Sequence, residues 1–214
     1  MSDKLPSDIQ RQVETGISIL KQGGLVAFPT DTVYALGACA TIHQAVEHVY
    51  TVKKRPRDMA LPLLLADTSQ ITEVAEPIPP IAWLLIQNFL PGALTIVLHK
   101  SSSAPDAITG SNETIALRIP AHPIPIALVK GLGAPIVGTS ANLSSRPSPL
   151  TADEVYSQLG NKIEMIIDSG RCPGGKESTI VDITGGTPLI LREGAIPREE
   201  IEQVCRSTAL SVKD

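Results

Sequence analysis

Stretches with a helical apolar stripe alternate with short apolar runs, and Pro or Gly stands at most of the junctions. This alternation constrains the fold more than any other feature. A helix buries one stripe and a strand buries one or both faces, so the two must stack in layers around a shared core. Ser7-Asp8-Ile9-Gln10 reads as a capping box with Ser7 as N-cap, and Ile9, Val13, Ile17 and Leu20 follow at helical spacing. Gly23-Gly24 stops that helix. Leu25 to Phe28 is a buried strand ending at Pro29, and Thr30-Asp31-Thr32 leaves from its end. In open α/β sheets, ligand loops sit at such exits.

The pattern repeats down the chain. Thr41-Ile42-His43-Gln44 is a second capping box, and Ala45, Val46, Val49 and Val52 form the apolar face of the helix it starts. The last turn of that helix delivers Lys53, and Pro56 forbids continuation. Lys53-Lys54-Arg55-Pro56-Arg57 therefore occupies a helix end and the loop beyond it. Strands are expected at Leu61–Leu65, Leu94–Leu98, Thr114–Ile119, Pro135–Val137, Met165–Ile167, Thr179–Ile183 and Leu189–Leu191. Helices are expected at Ile81–Leu90, Pro123–Val129 and Pro197–Cys205. A third capping box, Thr151-Ala152-Asp153-Glu154, has Leu150 and Val155 placed as a hydrophobic staple. Residues 101–113 read as a polar loop, Gly138-Thr139-Ser140-Ala141-Asn142 as a small-residue turn, and 143–149 as a mobile Ser- and Pro-rich loop. Helices and strands alternate early and strands cluster late. One α/β domain over residues 1–214, with its core at about 10–206, follows on a twisted mixed sheet.

Composition narrows the function. Hydrophobic residues are 43% of the 214 but aromatics only 3%, so the core is aliphatic. No apolar run approaches the ~20 residues of a membrane span, and Met-Ser-Asp-Lys-Leu-Pro lacks a secretory h-region. A soluble cytoplasmic protein is the expectation. The net charge of −4 means that any anion site is a local basic patch on an acidic molecule. Cys39, Cys172 and Cys205 make neither a zinc pattern nor a disulfide framework, and His43, His48, His99 and His122 form no metal motif.

One phosphate motif is a decoy. Gly170-Arg171-Cys172-Pro173-Gly174-Gly175-Lys176 has P-loop spacing, but Glu177 stands where Ser or Thr should hold magnesium, and Thr-Ile-Val-Asp-Ile after it is β-like. The basic cluster is a more serious candidate. Alone, cations at a helix C-terminus only offset the macrodipole. Here Thr30, Thr32, Ser140, Asn142 and Ser178 put hydroxyls and an amide beside strand ends, with Arg118 and Arg192 near others. Arginines in such company grip carboxylate or phosphate bidentately. Neither a Ser-His-Asp nor a Cys-His arrangement stands out, nor do paired carboxylates. The inventory favours binding and polarising anions.

The motifs together resemble the YrdC family. They are Pro29-Thr30-Asp31-Thr32-Val33-Tyr34-Ala35-Leu36-Gly37, Lys53-x-Arg55-Pro56, Pro91-Gly92-Ala93-Leu94-Thr95, Thr114 to Pro120 with Arg118, Ser140-Ala141-Asn142, Glu177-Ser178-Thr179-Ile180 and Leu191-Arg192-x-Gly194. The resemblance runs from about Gly23 to Ile196. It implies an α/β fold with a twisted open mixed sheet, flanking helices and a basic concave face. It implies a threonylcarbamoyl-AMP synthase, a nucleotidyltransferase joining L-threonine, bicarbonate and ATP into threonylcarbamoyl-adenylate and pyrophosphate. Downstream threonylcarbamoyl-transferase proteins then act on tRNA, itself a further candidate partner; no membrane is involved. By the same resemblance Lys53, Arg55, Ser140 and Asn142 form the catalytic tetrad around the triphosphate. Arg57, Thr114, Ser148 and Arg192 line the nucleotide side, and Thr30, Arg118, Gly138 and Ser178 hold threonine. Mg2+ is expected to arrive with ATP, with no protein-held metal.

Two departures stand out. Met59-Ala60-Leu61-Pro62 replaces the family's usual Lys-Pro-Leu-Ser, and Ala35 replaces a glycine. The expectation is a short, single-domain form whose active-site cover comes from its own loops or a partner. A non-catalytic tRNA- or double-stranded-RNA-binding protein of the same fold is the alternative. A related carbamoyl-transfer domain is a third reading, set aside because such domains occur inside longer multidomain chains.

Overall fold

The computed structural model describes residues 5–104, 108 and 113–210, so part of the expected 101–113 loop lies outside the described residues. The helices are α1 (Ser7–Lys21), α2 (His43–Lys53), α3 (Ile71–Val74), α4 (Pro80–Phe89), α5 (Pro123–Leu132), α6 (Ala152–Leu159) and α7 (Arg198–Leu210). The strands are β1 (Val26–Phe28), β2 (Ala35–Cys39), β3 (Leu63–Leu64), β4 (Leu94–His99), β5 (Thr114–Arg118), β6 (Ile136–Ser140), β7 (Met165–Ile166), β8 (Thr179–Asp182) and β9 (Leu189–Arg192). They form one mixed sheet in the order β7-β1-β2-β6-β3-β5-β4-β8-β9.

Side-chain alternation divides the core between the two sheet faces. Leu25, Ala27, Leu36, Ala38, Leu63, Ile96, Leu117, Val137 and Val181 face the larger cluster, which α2, α4, α6 and α7 cover. Val26, Phe28, Ala35, Leu64 and Ile136 face the other way, under Ile9, Val13 and Leu20 of α1 and Ile124, Leu128 and Val129 of α5. Among the described residues that second cluster takes nothing from β4, β5, β8 or β9. On this face the far half of the sheet carries Thr95, Ala116, Arg118, Ile180 and Arg192, from buried Thr95 and Arg118 to exposed Arg192, a position set by the registers Val97↔Ala116, Thr95↔Ile180 and Ile180↔Arg192.

Two of the three expected caps change. Pro6, with φ −51°, holds the N-cap of α1 without a side-chain bond, and its carbonyl accepts the Gln10 N–H at 2.8 Å. Ser7 is thus the first helical residue, not the cap. Ile42 caps α2 in extended backbone, while the Thr41 hydroxyl contacts the Cys39 thiol at 3.2 Å. The third cap holds: Thr151 Oγ1 accepts the Glu154 N–H at 3.2 Å, while Glu154 Oε2 reaches back one residue past the cap to accept the Leu150 N–H at 2.6 Å. Replacing Thr151 with Ala is expected to cost about 1 kcal/mol in chemical denaturation.

Gly138-Thr139-Ser140 is not a turn. It continues β6, because β2 pairs along its whole length, from Cys39↔Ile136 to Ala35↔Ser140. β2 itself, Ala-Leu-Gly-Ala-Cys, is low in β-branched residues and is held as a strand by neighbours on both sides. A Cβ at Gly138 would overlap the buried Leu64 side chain. Gly138→Ala is therefore expected to cost about 1–3 kcal/mol by overpacking, read as a lower denaturation midpoint. The 143–149 loop is pinned rather than mobile. Ser144 N–H donates to Lys53 O (3.0 Å), Tyr34 N–H to Pro149 O (2.9 Å) and Gln158 Nε2 to Pro147 O (3.0 Å).

Candidate active site

The candidate residues spread over one face of the sheet and the loops beside it. Arg118 pairs in register with Leu64, and Leu64 pairs with Ile136, four positions before Ser140 on β6. Gly138 points its bare Cα toward Leu64 between those two levels. Strand alternation thus sets Ser140, Gly138, Arg118 and Thr95 on a common face.

Arg118 anchors one end. Its side chain is 9% exposed and its Nη2 donates to Asp31 Oδ1 at 2.8 Å, while Nε donates to Gly92 O at 3.0 Å. Asp31 Oδ1 also accepts the Ala121 N–H at 3.1 Å. Burial pulls the Arg118 pKa down, Asp31 opposes that pull, and the group stays a cation. The neighbouring loop is built by hydroxyls: Thr30 Oγ1 donates to Val33 O (2.7 Å), accepts the Thr32 N–H (3.0 Å) and meets Thr32 Oγ1 (2.9 Å). Ser178 is buried and its hydroxyl shares a hydrogen bond with Thr95 Oγ1 at 2.8 Å.

The basic cluster divides residue by residue. Lys53 is only 2% exposed. Its ammonium donates to Ser140 O, to Asn142 O (2.7 Å) and to Asn142 Oδ1 (3.0 Å). Burial, with Arg55 nearby, brings its pKa down to about 7. Serving three oxygens nevertheless takes all three N–H bonds of the protonated form. Asn142 is fixed in turn, because Oδ1 also accepts from the Ser140 hydroxyl (2.7 Å) and Nδ2 donates to Arg146 O. Lys53, Ser140 and Asn142 thus come together, with Lys53 as the strut of the turn. Lys54 closes α2 in the left-handed region (φ 52°) and is exposed.

Arg55 is half-buried, with Nε on Met59 O (3.1 Å) and Nη2 on Ala60 O (2.9 Å). The unusual Met59-Ala60 segment therefore acts on Arg55 through its backbone. Arg57 lies farther out, ion-paired to Glu47 and 5.7 Å from the Tyr50 ring centroid. Thr114 shares the face of Arg118 but stands at the opposite end of β5.

Ser148 and Arg192 meet at Glu177. The Ser148 hydroxyl donates to Glu177 Oε1 at 2.5 Å and Arg192 Nη1 donates to Oε2. The rest of Arg192 is tied to Ser178, with Nε and Nη2 on its carbonyl at 3.2 and 2.9 Å. Glu177, Asp31 and Thr95 are the partners that motif reading left without a role. Asp31 had one legible signal: an arginine ending a strand as apolar as Thr114–Ile119 needs a buried counter-charge. Glu177 and Thr95 had none: Glu177 meets Ser148 and Arg192, and Thr95 meets Ser178, only through the fold. The 170–176 segment forms no helix and leads into β8, so the P-loop spacing is without structural content. Among the described residues no three His, Cys, Asp or Glu side chains converge to hold a metal, and no helix is long and apolar enough to cross a membrane.

The fold is a twisted mixed sheet flanked by helices, with Arg118, Arg192, Thr95 and Ser140 on one face of it. The Sua5/YciO/YrdC family model, described as "Telomere recombination", matches residues 18–194, and the chain belongs to that family. It is 43% identical over 193 residues to the threonylcarbamoyl-AMP synthase of Pyrococcus abyssi, covering 90% of this chain and 57% of that one. It is 41% identical over 194 residues to the Bacillus subtilis enzyme of the same name, covering 90% and 56%. The structure of P. abyssi Sua5 complexed with L-threonine superposes with a TM-score of 0.86 at 43% identity, over 90% of this chain and 56% of that one. The chain thus spans little more than half the length of these relatives.

Proposed function

We propose that this protein is a threonylcarbamoyl-AMP synthase, joining L-threonine, bicarbonate and ATP into threonylcarbamoyl-adenylate and pyrophosphate. The observation that carries the reading is that two unlike anion grips share one sheet face. One is the buried, rigid Arg118, beside the paired hydroxyls of Ser178 and Thr95, scaled to a small carboxylate. The other is the more exposed group of Arg55, Arg192, Ser140 and Ser148 around Glu177, scaled to a chain of phosphates. The names of the P. abyssi and B. subtilis relatives support it, as does L-threonine in the P. abyssi Sua5 structure.

In this reading Arg118 takes the threonine carboxylate, with Thr30, Ser178 and the Gly138 backbone shaping the amino-acid end. The threonine nitrogen attacks the carbon of bicarbonate, water leaves, and a carbamate oxygen attacks the α-phosphorus of ATP as pyrophosphate departs. The reacting groups are anions, so the protein contributes positioning and charge neutralisation. Arg55 grips the triphosphate of magnesium-bound ATP, Lys53 and Asn142 hold Ser140 in place, and Ser148 and Arg192 complete the phosphate side. Thr114, at the far end of β5, belongs to the nucleotide side, and Arg57, engaged by Glu47, serves at the rim. The product is a mixed anhydride, consumed by a transferase acting on tRNA, and the cytoplasm is where these substrates meet. Purified protein with ATP, bicarbonate and labelled threonine should release pyrophosphate only when all three are present. Release that ignores threonine, or no release at all, would remove the proposal.

A further inference from the structure

The Glu177 carboxylate sits where two donors given to phosphate in that reading converge. Ser148 Oγ and Arg192 Nη1 each donate to one of its oxygens, and the Ser140 hydroxyl, which donates to Asn142 Oδ1, lies beside them. Lys53 and Arg55 are close enough for their charges to be felt there. Burial alone would raise this carboxyl, but Ser148, Arg192, Ser140 and Lys53 together hold it below the usual carboxylate range. Two oxygens carrying one negative charge, inside a ring of hydroxyls and guanidinium groups, reproduce the surroundings of a bound phosphate edge.

The arginine is fixed without the acid. Arg192 keeps two bonds to Ser178 O, so it would present the same Nη1–H to a replacement anion, while the Ser140 hydroxyl stays committed to Asn142 Oδ1. The Glu177 backbone is fixed as well: its carbonyl accepts the Ala195 N–H at 2.8 Å, and a Cβ on Gly194 would overlap that carbonyl. Only the side chain is at liberty to leave, and at 33% exposure it has solvent to turn into.

We infer that Glu177 is an internal stand-in for a phosphate group, which fills the phosphate subsite until an anionic ligand displaces it and so sets the affinity of that subsite. This rests on the phosphate assignment above but not on the reaction. The displacement penalty is the same for any anion that uses the subsite, and it is not paid by a ligand that binds elsewhere.

The test measures binding of inorganic pyrophosphate and tripolyphosphate to the full chain by calorimetry. Glu177→Gln keeps the shape and removes the charge. It is expected to tighten both anions by a similar factor, on the order of tenfold, as the loss of one charged competitor implies. Asp58→Asn is the control for the general field: Asp58 also bears on Arg55 electrostatically but is exposed and takes none of these donors. It should change affinity by less than about threefold, as exposed charges do. Equal gains in the two variants would reduce the effect to net charge and overturn the inference. Weaker binding by Glu177→Gln would make the acid a support of the subsite and overturn it too. A thermal melt of each variant verifies that it is folded, and Glu177→Ser, which cannot span to Arg192, serves if Glu177→Gln melts early. Pyrophosphate release is assayed separately. If Glu177→Gln tightens anions but no variant makes the adenylate, the reaction is wrong and the subsite stands; if the adenylate forms without tightening, the reverse holds.

Discussion

Asp31→Ala should destabilise the protein by about 3–5 kcal/mol, because it leaves the buried Arg118 guanidinium without its counter-charge. In a chain this size that lowers the melting midpoint by roughly 10 °C. The same variant should lose threonine-dependent turnover, since a guanidinium that no longer has a fixed partner does not keep its direction. A double variant, Asp31→Leu with Arg118→Met, separates the two effects. Apolar residues of similar volume usually replace a buried ion pair at little cost. Stability should therefore return most of the way toward wild type while turnover does not. A double variant that folds well and still shows threonine-dependent pyrophosphate release would remove Arg118 from the amino-acid grip. If Asp31→Ala melts with the wild type, the pair is not the structural anchor described here.

Lys53→Met is the second large effect. Asn142 O loses its donor, while Ser140 O keeps the Asn142 N–H and Asn142 Oδ1 keeps the Ser140 hydroxyl. One buried acceptor left bare costs about 1–3 kcal/mol, so a loss in that range is expected, together with a fall in kcat/KM of at least about 100-fold as the turn loosens. Arg55→Ala should behave differently, with stability nearly unchanged and ATP affinity down by about 10- to 100-fold, as fits a charged hydrogen-bond donor to phosphate. Equal stability losses in the two variants would contradict the division into strut and grip. The titration of Lys53 adds a further reading. Its folded pKa, near 7, lies below the unfolded value of about 10.4, so between them the unfolded chain binds the extra proton. Stability contributed by this group therefore rises with pH across that window, and Lys53→Met should flatten that part of the stability profile.

The elements were legible where periodicity and punctuation agreed. α4 between Pro79 and Pro91, and β4 directly after Pro91-Gly92, fall close to where residue pattern alone places them. β2 was not, because Ala-Leu-Gly-Ala-Cys has no strand-forming chemistry of its own and is made a strand by β1 and β6. The first two capping boxes failed for a related reason. Pro6 and Ile42 take the cap positions through backbone geometry, leaving Ser7 and Thr41 without the expected role. In the site, the residue types were readable but not their employment. Lys53 read as surface from its place at a helix end and as a phosphate ligand from the family resemblance, and nothing local shows that three carbonyl-type oxygens arrive from nearly 90 positions away. The 143–149 loop read as mobile from its Ser and Pro content. Its anchors, Lys53 O, Gln158 and Tyr34, lie outside its own sequence.

The strut under Ser140 has a consequence for how the molecule assembles. Lys53 meets Asn142 across 89 residues, Arg118 meets Asp31 across 87 and Ser178 meets Thr95 across 83. Contacts of such high order are closed only after the chain has already met the entropic cost of large loops. The site is therefore expected to close late in folding. The proposed anion binding then doubles as a probe of completed folding, and a pulse of labelled pyrophosphate during refolding should be captured only as the last kinetic phase finishes.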